Sequence, residues 1–204
     1  VAHLRRAAKR FFGRKPAAER TAFEAFCTDE HAWLDDYALF MALAEAHDWR
    51  DWCDWDLPLA RREPTALAEA RLAHAPRVAF WQFCQWAFYR QWLALKAYAN
   101  GKGVEIIGDT PIFIAHQSAD VWAQQALFEL DDRGRPTVVA GVPPDFFSAT
   151  GQRWGNPLYR WSEHAKNGYA WWVDRVRRTF DLVDVVRIDH FRGFAGYWEI
   201  PASE

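Results

Sequence analysis

The sequence predicts an α/β fold in which a helical subdomain leads into part of an α/β barrel, and three observations predict it. Residues 1–100 read as helix throughout. Two later stretches then run in the order helix, short apolar strand, terminal carboxylate, ending at Asp109 and at Asp189. Between them lies a long excursion rich in glycine, proline and aromatic residues. Functional groups in such barrels collect at the C-terminal ends of the strands, so the two aspartates are expected to share one mouth. The expected domains are a helical subdomain with a long buried helix over 1–100, and barrel strands with an inserted hairpin and loop over 101–204.

Taken in order, helices are predicted over 2–12, 17–27, 30–47 and 64–74, punctuated by Gly13, Pro16, Pro58 and Pro64. The longest runs from Pro76 to Asn100. Its Trp81, Cys84, Phe88, Trp92 and Leu95 keep the spacing of one helix face, while Phe80, Phe83, Trp86 and Leu93 add apolar residues on other faces. Burial on most sides is therefore expected. Gly101-Lys102-Gly103 stops the helix, and Val104 to Asp109 reads as a strand. Leu127–Leu130 and Pro136–Val139, joined by Asp131 to Arg135, read as a hairpin. Pro143 to Pro157 has the composition of an ordered surface loop, a class that is disproportionately functional. An amphipathic helix over 168–181 precedes the second strand, Val183 to Asp189, also expected to be buried.

Bulk properties exclude several classes. Lys plus Arg number 25 against 27 Asp plus Glu, a net charge of -2. No global field favours nucleic acid or an acidic membrane, and a small neutral partner fits better. No apolar run reaches the roughly 18 residues of a membrane span. Cys27, Cys53 and Cys84 lack zinc-site and disulfide-framework spacings, so a reducing compartment, the cytoplasm, is expected. His31, His47 and His74 lack partners at ligand spacing; neither a metal nor a cofactor is expected. Arg5, Arg6, Lys9, Arg10, Arg14 and Lys15 occur without an acid among them, which raises a transit peptide. No serine precedes Ser118, so a solvated basic helix face is preferred. Val1 and Glu204 both read as cut ends, giving the expectation of an interior segment.

Asp189 follows an apolar strand core, with Arg187 two positions earlier and His190 one later. Alternate side chains of a strand share a side, so Arg187 and Asp189 are expected to pair. A cation there would keep a nucleophilic carboxylate ionised; the other reading is a structural salt bridge at a strand end. Asp109 is either a second site carboxylate or part of an ordinary turn made by Gly108, Thr110 and Pro111. In the loop, Trp154, Phe147 and Gln152 offer aromatic faces and an amide suited to a sugar, or simply pack the loop.

Three longer runs carry a resemblance. Gly108 to Ala115 continuing through Ser118–Trp122, then Gly134 to Asp145 with the loop to Asn156-Pro157-Leu158-Tyr159, and Arg187 to Phe194 ending in Tyr197-Trp198-Glu199-Ile200-Pro201 resemble, in order, signatures of the amylomaltases or disproportionating enzymes, glycoside hydrolase family 77. Trp33 to Phe40 extends the likeness upstream. The resemblance implies a retaining 4-alpha-glucanotransferase built on a (β/α)8 TIM barrel. Two carboxyl groups about 5 Å apart would act on an α-1,4-glucan, with glucose or a maltodextrin as acceptor. It implies Asp189 as nucleophile, Asp109, Arg187 and His190 around the donor sugar, and Phe147, Gln152, Trp154 and Asn156 as substrate-binding, several of them shaping the acceptor side. It implies further that the acid/base glutamate and a third aspartate lie outside this chain, that Glu199 is not that acid, and that the rest of the barrel is required. Phe146 stands where the family often has tyrosine. The competing readings are a non-catalytic glucan- or partner-binding segment and a related α-glucan hydrolase.

Overall fold

The computed structural model describes residues 1–13, 17–146 and 148–203. It is a mixed α/β structure dividing into two compact units, Val1–Ala94 and Leu95–Glu204. No helix among the described residues is long and apolar enough to cross a membrane.

The first unit is helical: α1 (Ala2–Gly13), α2 (Ala17–Asp29), α3 (His31–Ala46), α4 (Leu57–Ala60), α5 (Pro64–Ala73) and the first part of α6 (Ala75–Asn100). One core is a knot of aromatic rings in which Phe11 meets Phe23, Phe83 and Trp86 at centroid distances of 5.5, 5.1 and 5.0 Å. Such pairs add to the burial of their large apolar areas. Leu34, Ala38, Leu39, Ala42 and Leu43 of α3 are fully buried. Arg62 holds the Asp36 carboxylate with two bonds of 2.8 and 2.9 Å. Helix α6 departs from the expectation of burial on most sides. Phe80, Phe83 and Trp86 are buried, but Phe88, Leu93, Leu95 and Tyr98 in its C-terminal half are 46%, 42%, 53% and 67% exposed.

The second unit holds the five strands found among the described residues. β1 (Ile107–Pro111) lies parallel to β4 (Val185–Asp189), and β2 (Val138–Val142) is flanked by antiparallel β3 (Gln152–Pro157) and β5 (Trp198–Pro201). The short helices α7 (Ala119–Ala123) and α8 (Trp161–Lys166) and the longer α9 (Ala170–Leu182) complete the connection from β1 to β4. Gly108 allows the close approach of β1 to the Val183 side chain, since a Cβ there would stand 2.8 Å from a Val183 methyl. The predicted hairpin survives only as a single bridge, Leu130 to Pro136, around a turn in which the Asp131 carboxylate accepts the Arg133 and Arg135 N–H groups. The antiparallel sheet is built instead from β2 and from residues 152–157, which the glycine- and proline-rich composition had marked as loop. Neither parallel strand is buried on both faces. In each, residues alternate between exposed and half-buried.

His164 is fully buried at the start of the α8–α9 region. Its Nε2 faces the Leu127 carbonyl at 3.2 Å and its Nδ1 has no hydrogen-bond partner among the described residues. Burial among Tyr159, Trp161 and Trp171 pushes its pKa below the usual value. The unfolded chain, titrating near about 6.5, then takes up the proton first. The stabilisation is complete above that pH and is lost as pH falls through the lower folded value. The melting temperature should accordingly drop as pH is lowered below about 6.5. His164→Phe should flatten that part of the profile, because the Leu127 carbonyl keeps its bond from the Arg160 N–H.

Candidate active site

The parallel ladder pairs Asp109 with Arg187 and Pro111 with Asp189. Because the side-chain period is two, Asp109, Arg187 and Asp189 project from one face. Arg187 does not turn to Asp189 as its spacing predicts. Its guanidinium grips both oxygens of Asp109 across the ladder, Nε to Oδ1 at 3.2 Å and Nη2 to Oδ2. The reason is register: the cross-strand neighbour is directly alongside, whereas Asp189 lies two residues further along the same strand. Asp109, then Asp189 more weakly, hold the Arg187 guanidinium above its ordinary pKa. Asp109 sits mid-strand rather than at a strand end, since β1 begins at Ile107 and runs on through Pro111.

Asp189 is the last residue of β4 and opens on a cleft of about 490 Å³ lined also by Pro111 to Ala115, Trp154, Asn156 and His190. His190 adopts a left-handed backbone conformation at φ 53°, turning the chain sharply away from the strand. Its ring meets the Trp154 ring edge-on at 5.1 Å and lies 6.1 Å from Phe113. Its Nε2 is buried and makes no hydrogen bond among the described residues. Such a group points to a polar partner that the protein itself does not supply. The Asn156 amide donates to the Ile114 carbonyl at 2.9 Å, and the Trp154 Nε1 donates to Gln152 Oε1 at 3.1 Å. Trp154 remains 39% exposed beside the cleft. Gln152 is exposed and is not among the cleft-lining residues. Phe147 lies outside the described residues.

What sequence reasoning missed is the wall made by Phe113, which stacks on Tyr159 at 6.2 Å and meets Tyr197 edge-on at 5.8 Å. No local pattern marks it; its role follows from the β1–β4 pairing. The only possible metal-ligand grouping among the described residues is surface Asp51, Cys53 and Asp54, whose ligand atoms lie within 4.8 Å of one another, far along the chain from these residues.

Comparison with known proteins places the arrangement. A family model described as 4-alpha-glucanotransferase matches residues 1–204. The chain belongs to the 4-alpha-glucanotransferase family. It is 56% identical over 200 residues to a 4-alpha-glucanotransferase of Thermus thermophilus, covering 98% of this chain and 40% of the relative. A Streptococcus pneumoniae 4-alpha-glucanotransferase is 46% identical over 201 residues, with 98% and 39% covered. The solved amylomaltase from Streptococcus agalactiae in complex with acarbose superposes with a TM-score of 0.94 at 39% identity, over 100% of this chain and 41% of that one. This family member thus spans about two fifths of the length of the relatives it matches.

Gly193 follows the site in the 3₁₀ turn Phe191–Phe194 and is buried. A Cβ there would stand 2.9 Å from Ile112 Cδ1 and 3.0 Å from His190 Cδ2. Gly193→Ala is expected to destabilise by about 1–3 kcal/mol as an overpacking change. Urea denaturation measures it, and a midpoint equal to that of the unsubstituted protein would show that the cleft wall yields without cost.

Proposed function

We propose that this chain is the nucleophile-bearing part of a retaining 4-alpha-glucanotransferase with a (β/α)8 barrel. The observation that supports it best is Asp189 at the C-terminal end of a parallel strand, opening on a cleft walled by Trp154, Phe113 and His190. The Asp189 carboxylate attacks the anomeric carbon of an α-1,4-glucan as the glycosidic bond breaks, forming a glycosyl ester. A hydroxyl of glucose or of a maltodextrin then displaces Asp189, which restores the α-linkage. Asp109 and Arg187, already bound to each other, present a fixed pair of polar groups to the donor sugar beside Asp189, and the buried Nε2 of His190 offers it a hydrogen-bond partner. Trp154 and Asn156 line the cleft towards the acceptor, with Gln152 holding the Trp154 indole from outside; Phe147, a few residues earlier in the sequence, is assigned to the same acceptor side. No metal or cofactor has a step in this chemistry. The acid that protonates the leaving oxygen and a third carboxylate belong, on this reading, to later strands of the full barrel. The enzyme is assigned to the cytoplasm, since no disulfide joins Cys27, Cys53 or Cys84.

The barrel proposal draws on the open sheet face. Ile107 and Val185 are 71% and 42% exposed on the side that carries Asp109, Arg187 and Asp189. In a closed barrel that side is the interior, filled by layers of side chains.

The test exchanges the matching 200 residues of the Thermus thermophilus relative for this chain. The chimera should disproportionate maltotriose into glucose and longer maltodextrins, and Asp189→Asn should abolish it. A fluorinated glucosyl donor should label Asp189; a label on another carboxylate would falsify the assignment. Trp154→Ala should weaken transfer to acceptor more than attack on donor, whereas equal losses would reduce Trp154 to packing β3 against its neighbours. The 204-residue chain alone should show no disproportionation above its Asp189→Asn control. General acid assistance of about 10² to 10⁴ in rate is missing from it.

A further inference from the structure

We propose that Arg175, on α9 and outside the cleft, is a positioning residue for the transfer reaction, acting through the backbone that leaves β1; the inference rests on the reading of the cleft as the glucan site. Arg175 Nη2 donates to the Pro111 carbonyl at 2.5 Å. Its Nη1 lies 3.3 Å from both the Ile112 carbonyl and the Tyr159 hydroxyl. The Tyr159 hydroxyl, buried and pushed well above its ordinary pKa by that burial, donates in turn to the Ile112 carbonyl at 2.6 Å. One planar fork therefore holds two successive carbonyls through donors whose directions are fixed in a single rigid plane.

Those carbonyls belong to the residues that turn from strand into cleft wall. Pro111 is the ladder partner of Asp189, and Ile112 and Phe113 line the cleft beside it. On the other side of Phe113 the Asn156 amide holds the Ile114 carbonyl at 2.9 Å. The segment is thus pinned at Pro111, Ile112 and Ile114. The Phe113 ring between these points sets the wall against which His190 and Trp154 rest, at 6.1 and 6.3 Å.

The arginine's other contacts agree with a positioning role. Its guanidinium lies over the Trp172 and Trp171 rings at 4.9 and 5.4 Å, which fixes its plane. Its hydrogen bonds go to carbonyls and a hydroxyl, whereas Arg177 on the same helix takes an ordinary surface pairing with Asp174 at 2.6 Å. A loss of about 1 Å in the placement of reacting groups costs on the order of 10² in rate.

The experiment uses the active chimera, with its activity and the Asp189→Asn loss testing the glucan-site reading separately. Arg175→Ala, Arg175→Lys, Tyr159→Phe and the control Arg177→Ala are compared with the parent in kcat and KM for maltotriose. Melting temperature establishes the folded fraction at the assay temperature. Arg175→Ala should lower kcat per folded molecule by about 10- to 100-fold with KM changed less than about threefold. Arg175→Lys should fall between it and the parent, and Arg177→Ala should match the parent. Should Arg175→Ala not fold, Arg175→Lys and Tyr159→Phe decide, each with lowered kcat per folded molecule. Unchanged kcat per folded molecule, with only the melting temperature reduced, would overturn the proposal and leave Arg175 a purely structural clamp.

Discussion

The cleft depends on the register between β1 and β4. A one-residue slip in the parallel pair would send the side chains of one strand to the opposite faces and separate Asp109 from Arg187 and Asp189. That register is anchored just outside the ladder. The Asp184 carboxylate accepts the Ile106 N–H at 2.8 Å and the Asn100 amide at 2.8 Å, with the Lys96 ammonium 3.5 Å away. These contacts, the Ile106 bond first, hold the Asp184 carboxyl below the usual carboxylate range. Lys96 also donates to the carbonyls of Phe180, Asp181 and Val183, where α9 ends. A cation is favoured at that end of a helix by the exposed carbonyls and the helix dipole. The end of α6, the start of β1, the end of α9 and the start of β4 are therefore fixed by one small set of charged groups.

The same register decides which carboxylate is paired. Arg187 is committed to Asp109, so Asp189 keeps its place at the strand end without a bidentate guanidinium across its oxygens. On the proposed reading of Asp189 as the nucleophile, a tight fork would have to release two charge-assisted bonds before attack. Placing the cation two residues away leaves its field acting on Asp189 while leaving the oxygens open to the cleft. In this arrangement Asp109 sets where the Arg187 charge lies.

How far this was legible in the sequence follows from the range of each interaction. The helices of residues 1–100 and the strand ending at Asp189 are local patterns, with punctuation and periodicity both within a few residues. The Arg187 pairing was misread because strand alternation sees only neighbours in the chain, while the true partner, Asp109, lies across a parallel crossover of 78 residues. β3 hides in a glycine- and proline-rich stretch because its partners are β2 and the backbone, not side chains that advertise a strand. Gly151, at φ +76° and with the Val142 carbonyl where its Cβ would be, is the price of that tight return. The exposed half of α6 was unreadable for a different reason. Periodicity reports which residues are apolar, and burial depends on what lies against them. Arg175 left no signal at all, since one of three arginines on an amphipathic helix reads as part of a solvated face.

One face of the small parallel sheet carries both the candidate site carboxylates and exposed apolar side chains. Ile107 and Val185 stand exposed on the side from which Asp109, Arg187 and Asp189 project. Alternation leaves no way to separate the two, because any residue two positions from a site carboxylate shares its face. The opposite face, with Gly108, Thr110, Val186 and Ile188, is half-buried and meets α9 and its neighbours. α9 reaches the site from that opposite face, through Arg175, which crosses to the carbonyls at the strand end, and through Trp172, which packs on Tyr159 behind Phe113. On the barrel reading, further strands would supply the missing apolar partners to Ile107 and Val185 and the missing carboxylates to Asp189 in the same layer of side chains. Closing the sheet and completing the catalytic group would then be one structural event.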